Sequence, residues 1–210
     1  MQPYQKPQFT HHGAVDGVTG SCHEYRLADD YGLLIDCGLF QGAEVSNSGS
    51  AGKPQIDFAI EHIRALIVTH VHIDHVGRIP YLLAAGFNGP IYCTQASATL
   101  LPLVLEDAVK IGISRDATLI NGFLARLRRQ LVPCAFNSWI ALPALAGGEP
   151  KLRFQHAGHI LGSAYVELKH NTPLKNGYKT VFSGDLGAPY APLLPAPKSP
   201  YAADEVVLES

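Results

Sequence analysis

The chain opens with short apolar runs that end abruptly at turn residues. Tyr31-Gly-Leu-Leu-Ile35 reads as a strand that stops at Asp36-Cys37-Gly38. Ala65-Leu-Ile-Val68 is apolar at every position, which predicts a strand buried on both faces, and Ile91 to Cys93 predicts a third. Helical spacing follows. Ile79 to Ala85 is one helix, stopped by Gly86. Gln95 to Ile111 is a longer one ending before Gly112, and Pro102 inside it should kink or split it. Asp116 to Val132 is again helical.

The second half changes period. Lys151 to Gln155, Ala164 to Lys169 and Lys179 to Phe182 alternate or carry β-branched residues, and Asn176-Gly177 is a turn signal before the last of them. Five prolines fall between residues 189 and 200. Such a segment reads as a stiff, extended connector. A last strand, Val206-Val-Leu208, follows it. Strands and helices alternate, so the class is α/β.

Composition narrows the function classes. The 210 residues carry 16 Lys+Arg and 18 Asp+Glu, a formal charge of −2, which excludes a binder that works through a large basic excess. Apolar residues make up 47%, enough for a sizeable core. No run of 18 apolar residues occurs, and residues 1–10 are polar with three Gln and two Pro, so no membrane span or secretory leader is read. Between Lys110 and Gln130, five cations oppose Asp116, a local charge of +4 that reads as a solvated helix face before it reads as a nucleic-acid patch. Cys22, Cys37, Cys93 and Cys134 form no CxxC pair and read as small buried residues in a reducing compartment.

Ten histidines are the first hint of metal chemistry. Thr69-His70-Val71-His72-Ile73-Asp74-His75 directly follows the most apolar strand. Residues i and i+2 of an extended segment point the same way, so His70 and His72 can reach one ion, with Asp74 and His75 turned toward a second. Imidazole and carboxylate donors suit Zn²⁺. Asp36, Asp185 and His159 lie at other junctions of strand and turn. His11 and His12 read as loop residues before Gly13, His23 and His156 as strand residues, His62 as part of the approach to a strand, and His170 as a loop residue.

His-x-His-x-Asp-His after a buried strand resembles the metallo-β-lactamase superfamily. Gly17-Val-Thr-Gly-Ser-Cys22, Ala157-Gly-His-Ile-Leu-Gly-Ser-Ala164 and Phe182-Ser-Gly-Asp-Leu-Gly187 are similar to its β-CASP RNA-processing nucleases, and Val206 to Ser210 resembles the start of their next motif. The resemblance implies an αββα sandwich, here incomplete: residues 1–188 as the N-terminal part of the metallo-β-lactamase domain, 189–203 as the connector, and 204–210 as the strand leading to a β-CASP cap. It implies two Zn²⁺ per complete site. His70, His72 and His159 would hold the first, Asp74 and His75 the second, and Asp185 would bridge them. Asp36 would brace the metal loop, Asp74 orient the shared hydroxide, and Glu209 act as the acidic residue that holds a histidine donor. Ser163 would contact substrate.

The implied activity is RNA phosphodiester hydrolysis, endonucleolytic or 5′-to-3′ exonucleolytic, in the cytoplasm. RNA is the expected partner, with further copies of the chain or processing-complex subunits beside it. The cap and two further histidines of such enzymes do not occur in these residues, so weak or absent activity of this stretch alone is expected. A thioesterase or lactonase of the same fold, and a non-catalytic processing subunit, are the rival readings.

Overall fold

The computed structural model describes residues 2–15, 17–42, 55–146 and 148–209. Two sheets form its frame. The first has six strands: β1 Gln8–His11, β2 His23–Ala28, β3 Tyr31–Ile35, β4 Ile63–Ile67, β5 Ile91–Thr94 and β6 Leu131–Cys134, side by side in that order. β1, β2 and β3 pair antiparallel, and β3 to β6 run parallel. The second has five strands, ordered β11 Glu205–Val207, β10 Tyr178–Phe182, β9 Ala164–His170, β8 Lys151–His156 and β7 Ile140–Ala141. The crossovers between the parallel strands carry α1 Ile73–Val76 and α2 Ile79–Ala84, then α3 Gln95–Gly112 and α4 Ala117–Gln130.

Why β3 and β4 are apolar throughout is visible in what each face meets. Leu34, Leu66 and Val68 pack with Ile79, Leu82, Leu83, Leu101, Leu105, Val109, Ile120, Leu124 and Leu127 of the helices. The intervening Leu33, Ile35, Ala65 and Ile67 pack with Phe154, Ala164, Val166, Leu168 and Phe182 of the second sheet. Side chains alternate along a strand, so one strand serves both cores. Each fully buried Leu, Ile or Phe among them stabilises the fold by about 1.5–3 kcal/mol.

Several sequence expectations need correcting. α3 continues as one helix of 18 residues through Pro102 and includes Gly112. Leu101, Leu105 and Val109 bury one face of it, and that burial offsets the roughly 3 kcal/mol that a mid-helix proline costs. The helix after it stops at Gln130, and Leu131 starts β6. Residues 189–200 are not uniformly extended: Ala191 N–H donates to Ala188 O, and Leu194 N–H to Ala191 O, which closes two turns before the chain straightens. His11 ends β1 instead of lying in a loop. His170 ends β9, buried, with Nδ1 3.3 Å from the Tyr25 hydroxyl, and burial pushes its pKa down to about 4. All four cysteines are buried and reduced. No helix among the described residues is long and apolar enough to cross a membrane.

The parallel arrangement positions the chemistry. β3 and β4 run side by side, and so do β10 and β11, so each pair delivers its next residues to one end of its sheet. The residues just past these ends are Asp36, Thr69 to His75, Ser183 to Asp185, and Glu209. The crevice beyond the carboxyl ends of parallel strands is where open α/β sheets bind ligands.

Candidate metal centre

Asp36 follows the last residue of β3 and has φ +60, a conformation that residues other than Gly rarely adopt. The turn sends its side chain, fully buried, under the segment after β4. One carboxylate oxygen accepts the Thr69 backbone N–H at 2.8 Å; the other accepts the Thr69 hydroxyl at 2.6 Å and lies 2.8 Å from His75 Nδ1. Three donors meet this one carboxylate at the start of the histidine segment.

This network also fixes a tautomer. Thr69 gives its only hydroxyl hydrogen to Asp36, yet its Oγ1 lies 3.1 Å from His70 Nδ1. His70 Nδ1 must therefore be the donor. Burial first, then the neighbouring His75, pushes the His70 pKa down to about 2, so the ring is neutral and its Nε2 carries a lone pair. That Nε2 lies 3.1 Å from His72 Nδ1, which is 3.2 Å from His159 Nε2. Asp185 Oδ2 is 3.8 Å from His70 Nε2 and 3.3 Å from His159 Nε2. His70, His72, His159 and Asp185 offer donor atoms that all lie within 4.8 Å of one another.

His159 arrives from the other sheet. Ala164 N–H donates to Thr69 O at 3.0 Å and ties the start of β9 to the end of β4. The Ser163 hydroxyl accepts the backbone N–H groups of His159 and Ile160, at 3.0 and 3.1 Å. Ser163 is buried, and these two bonds give it a part in shaping the histidine loop. Asp185 depends on Gly184, which has φ +48 and sits so near Thr69 that a Cβ would lie 2.9 Å from the Thr69 Cβ. No larger residue could bring the Asp185 turn this close.

His75 lies between carboxylates. Its Nδ1 faces Asp36, and its Nε2 is 3.3 Å from Asp185 Oδ1 and 3.7 Å from Glu209 Oε2. Burial alone would lower its pKa, but the contacts with Asp185 and Asp36 outweigh burial and raise it to about 11. The hydrogen bond with His75 in turn holds Asp185 down to about 2. Asp36, His75 and Glu209 form a second group whose donor atoms lie within 4.8 Å of one another.

The residues fit a divalent cation. His70 presents a buried lone pair beside two further imidazoles and a carboxylate, and its other nitrogen is anchored by hydrogen bonds that reach Asp36, the usual support for a metal-binding histidine. His75 would fit the same pattern on giving up its Nε2 proton to an arriving cation, with Nδ1 on Asp36 and Nε2 toward Asp185. Asp74 belongs to neither group; it lies in the first turn of α1, and its charge is felt by His72.

Sequence reading missed the supports of Glu209. Ser183 Oγ accepts its backbone N–H at 2.9 Å, Ser21 donates to its carboxylate at 3.2 Å, and His23 Nε2 lies 3.4 Å away. Ser21 and Ser183 lie inside the Gly17–Cys22 and Phe182–Gly187 motifs, whose pattern does not say what either holds, and His23 follows the first of them.

A family model described as the metallo-beta-lactamase superfamily matches residues 15–205. Ribonuclease TTHA0252 of Thermus thermophilus is 37% identical over 202 residues, which cover 94% of this chain and 42% of that protein. Transcription termination factor FttA of Methanosarcina mazei is 32% identical over 73% of this chain and 23% of its own length, and Integrator complex subunit 11 of Danio rerio is 26% identical over 82% and 28%. The chain thus spans less than half the length of the relatives it matches. Among solved structures, a Cronobacter sakazakii metallo-beta-lactamase with a HARLDQ motif superposes with a TM-score of 0.52 at 18% identity, covering 92% of this chain and 62% of that one.

Proposed function

Because the chain belongs to the metallo-beta-lactamase superfamily, we propose that it is the metal-binding part of a Zn²⁺-dependent phosphodiesterase that hydrolyses RNA. The observation that carries this reading is the anchored, neutral His70 with its lone pair aimed among His72, His159 and Asp185. The ribonuclease relative supports RNA over a small ester as substrate.

His70, His72 and His159 would hold one ion, His75 a second, and Asp185 lies within reach of both. An ion bound there would offset charge on the phosphate and lower the pKa of water toward about 7. The chain's own residues supply geometry. Asp36 locks His70, through Thr69, and His75 in orientations that cost no reorganisation when substrate arrives. Glu209, held by Ser183, Ser21 and His23, places a carboxylate at the edge of the centre, where it can accept a proton or orient a donor. The resemblance gives Asp74 a further role beside His72 in orienting the attacking water. The same reading takes residues 1–188 as the metal domain, 189–203 as a connector and 204–210 as the lead into a cap, with cytoplasmic residence and RNA-processing partners.

The test is hydrolysis of a single-stranded oligoribonucleotide and of a carboxylic ester by the whole protein, this chain together with the cap that the reading implies, metal-stripped and then supplied with Zn²⁺. Zn²⁺-dependent RNA cleavage is expected, falling by at least about 10–100-fold in His72→Ala, since even an outer-shell metal partner is worth that much. Ester cleavage without RNA cleavage, or a His72→Ala protein with undiminished activity, would overturn the reading.

A further inference from the structure

Beside the metal centre lies a cavity of about 250 Å³ that the reaction itself does not require. Its walls come from the β1–β2 loop, with Ala14, Val15 and Val18, and from the end of β11, with Val207 and Leu208; its polar lining includes His11, His23, Asp185 and Glu209. Asp185 and Glu209 belong to the metal groups, so cavity and centre are continuous. Val15, Val18 and Leu208 are 63%, 64% and 68% exposed, apolar surface held in water next to a polar centre.

The loop that presents the two valines is held firmly at its base. Arg78, buried, donates to Gly38 O at 2.5 Å, to His12 O at 3.2 Å and to Gly20 O at 3.4 Å, and stacks over Phe40. One guanidinium thus ties both ends of the loop to the turn after β3. A Cβ on Gly13 would lie 1.9 Å from Gly20 O, so the two ends touch backbone to backbone. Ala14 has φ +54, a left-handed conformation that costs about 1 kcal/mol or more in a residue with a Cβ. The fold holds strain here in order to present this loop at the centre.

The hydrogen bonds determine what the cavity can recognise. Ser21 donates its hydroxyl hydrogen to Glu209, so Ser21 Oγ and the Glu209 carboxylate, both 3.4 Å from His23 Nε2, can only accept from it. His23 Nε2 is then the donor, and in a neutral ring its Nδ1 accepts. His11 Nδ1, 2.8 Å away, must donate to it. A neutral His11 therefore offers Nε2 as a hydrogen-bond acceptor. Burial first, then His23, keeps its pKa below the usual value.

Apolar walls, an acceptor imidazole and continuity with a phosphodiester-cleaving centre suit one occupant. We propose that this cavity seats the nucleoside next to the scissile phosphate, with its flat base against Val15, Val18 and Leu208 and an amino or hydroxyl hydrogen donated to His11. The assignment rests on the phosphodiesterase reading for the word "scissile" and on the geometry above for the seat. Single-stranded RNA is recognised through such splayed bases, on apolar or aromatic faces with a few polar contacts.

The experiment is done in the whole protein, cap included, and compares wild type with His11→Phe and with the double variant Val15→Ser/Val18→Ser, each checked for an unchanged melting temperature. For each protein, kcat/KM is measured on an oligoribonucleotide and on bis-p-nitrophenyl phosphate, a diester with no nucleoside. Anisotropy of the labelled oligoribonucleotide in EDTA gives binding without metal. The ratio of the two kcat/KM values is expected to fall about tenfold in each variant, mostly through KM, and the affinity in EDTA by a similar factor, as for loss of one stacked base or one substrate hydrogen bond. If wild type cleaves both diesters and the variants leave the ratio and the affinity alone, the nucleoside seat is wrong and the phosphodiesterase reading stands. If wild type cleaves neither but binds RNA in a way the variants weaken, the seat stands and the phosphodiesterase reading falls. Wild type that neither binds nor cleaves RNA overturns both.

Discussion

The first sheet carries two histidine–carboxylate clusters, and they are built on opposite principles. In one, Glu24 takes His62 Nε2 on one oxygen at 2.7 Å and His12 Nε2 on the other at 3.1 Å, while His12 stacks on Phe58 with ring centroids 3.7 Å apart. Every charge there has its partner within the molecule, and the two histidines hold the Glu24 carboxyl below its usual pKa against the effect of burial. In the other, His70, His72 and His159 turn nitrogen toward nitrogen, and His75 stands as an imidazolium among Asp36, Asp185 and Glu209. The first cluster is complete without a ligand; the second is arranged around a cation. The number of histidines does not separate them. The direction of their lone pairs does.

Removing the central carboxylate of each cluster gives the largest contrast. Asp36 is fully buried, and Asp36→Ala takes away the acceptor of the Thr69 N–H and hydroxyl and of the buried His75 Nδ1–H. A loss of about 3–5 kcal/mol is expected, the size seen when one partner of a buried ion pair is removed. Denaturant melts of Asp36→Ala and Glu24→Ala check it. His12 and His62 lie nearer solvent and can be hydrated after the change, so Glu24→Ala should cost less. An equal or larger cost for Glu24→Ala would break the distinction.

Cation binding gives the next contrast. A divalent ion at one hundred times its dissociation constant should stabilise the fold by about 2.7 kcal/mol, a rise in melting temperature of about 5–11 °C for a chain of this length. His72→Ala should erase most of that rise, and His62→Gln should leave it intact. A rise that vanishes in His62→Gln and survives in His72→Ala would put the cation in the wrong cluster.

The contrast also explains how much could be read from sequence. β3 and β4 are legible because burial on both faces demands an unbroken apolar run, and His70, His72 and His75 because period-2 spacing after such a strand leaves few other meanings. His159 and Asp185 are legible as strand-end residues, but their roles only by resemblance, since their placement depends on Ala164 reaching Thr69 and on Gly184 packing against it, contacts 95 and 115 residues apart in the chain. His11 and His23 read as ordinary loop and strand residues because nothing local shows that β1 pairs with β2 in the register that sets them opposite each other. Pro102 misled for the converse reason: a local rule against proline in helices was outweighed by tertiary burial of the helix face.

The last predicted effect, small per unit of pH and the sharpest, is the pH dependence of the metal-free protein. His70 is held neutral to about pH 2 when folded but takes a proton near pH 6.5 when unfolded. Unfolding therefore gains a proton below pH 6.5, and stability falls as the medium is acidified from there. His75 behaves oppositely: its folded pKa of about 11 lies above its unfolded value, so its contribution is full below pH 6.5 and is lost as pH rises toward 11. Metal-free protein should thus be most stable near pH 6.5, with limbs approaching about 1.4 kcal/mol per pH unit where one proton is exchanged. Glu24, with its lowered pKa, contributes no slope there; its share is lost only below about pH 4.5. Urea titrations from pH 4.5 to 9 should show the acid limb cut to about half its slope in His70→Asn, the remainder belonging to buried His170, the alkaline limb flattened in His75→Asn, and both intact in Glu24→Gln. A Glu24→Gln protein that lost the acid limb between pH 6.5 and 5 would mean that the strained titration belongs to the closed cluster, and that the open one is not poised around a missing charge.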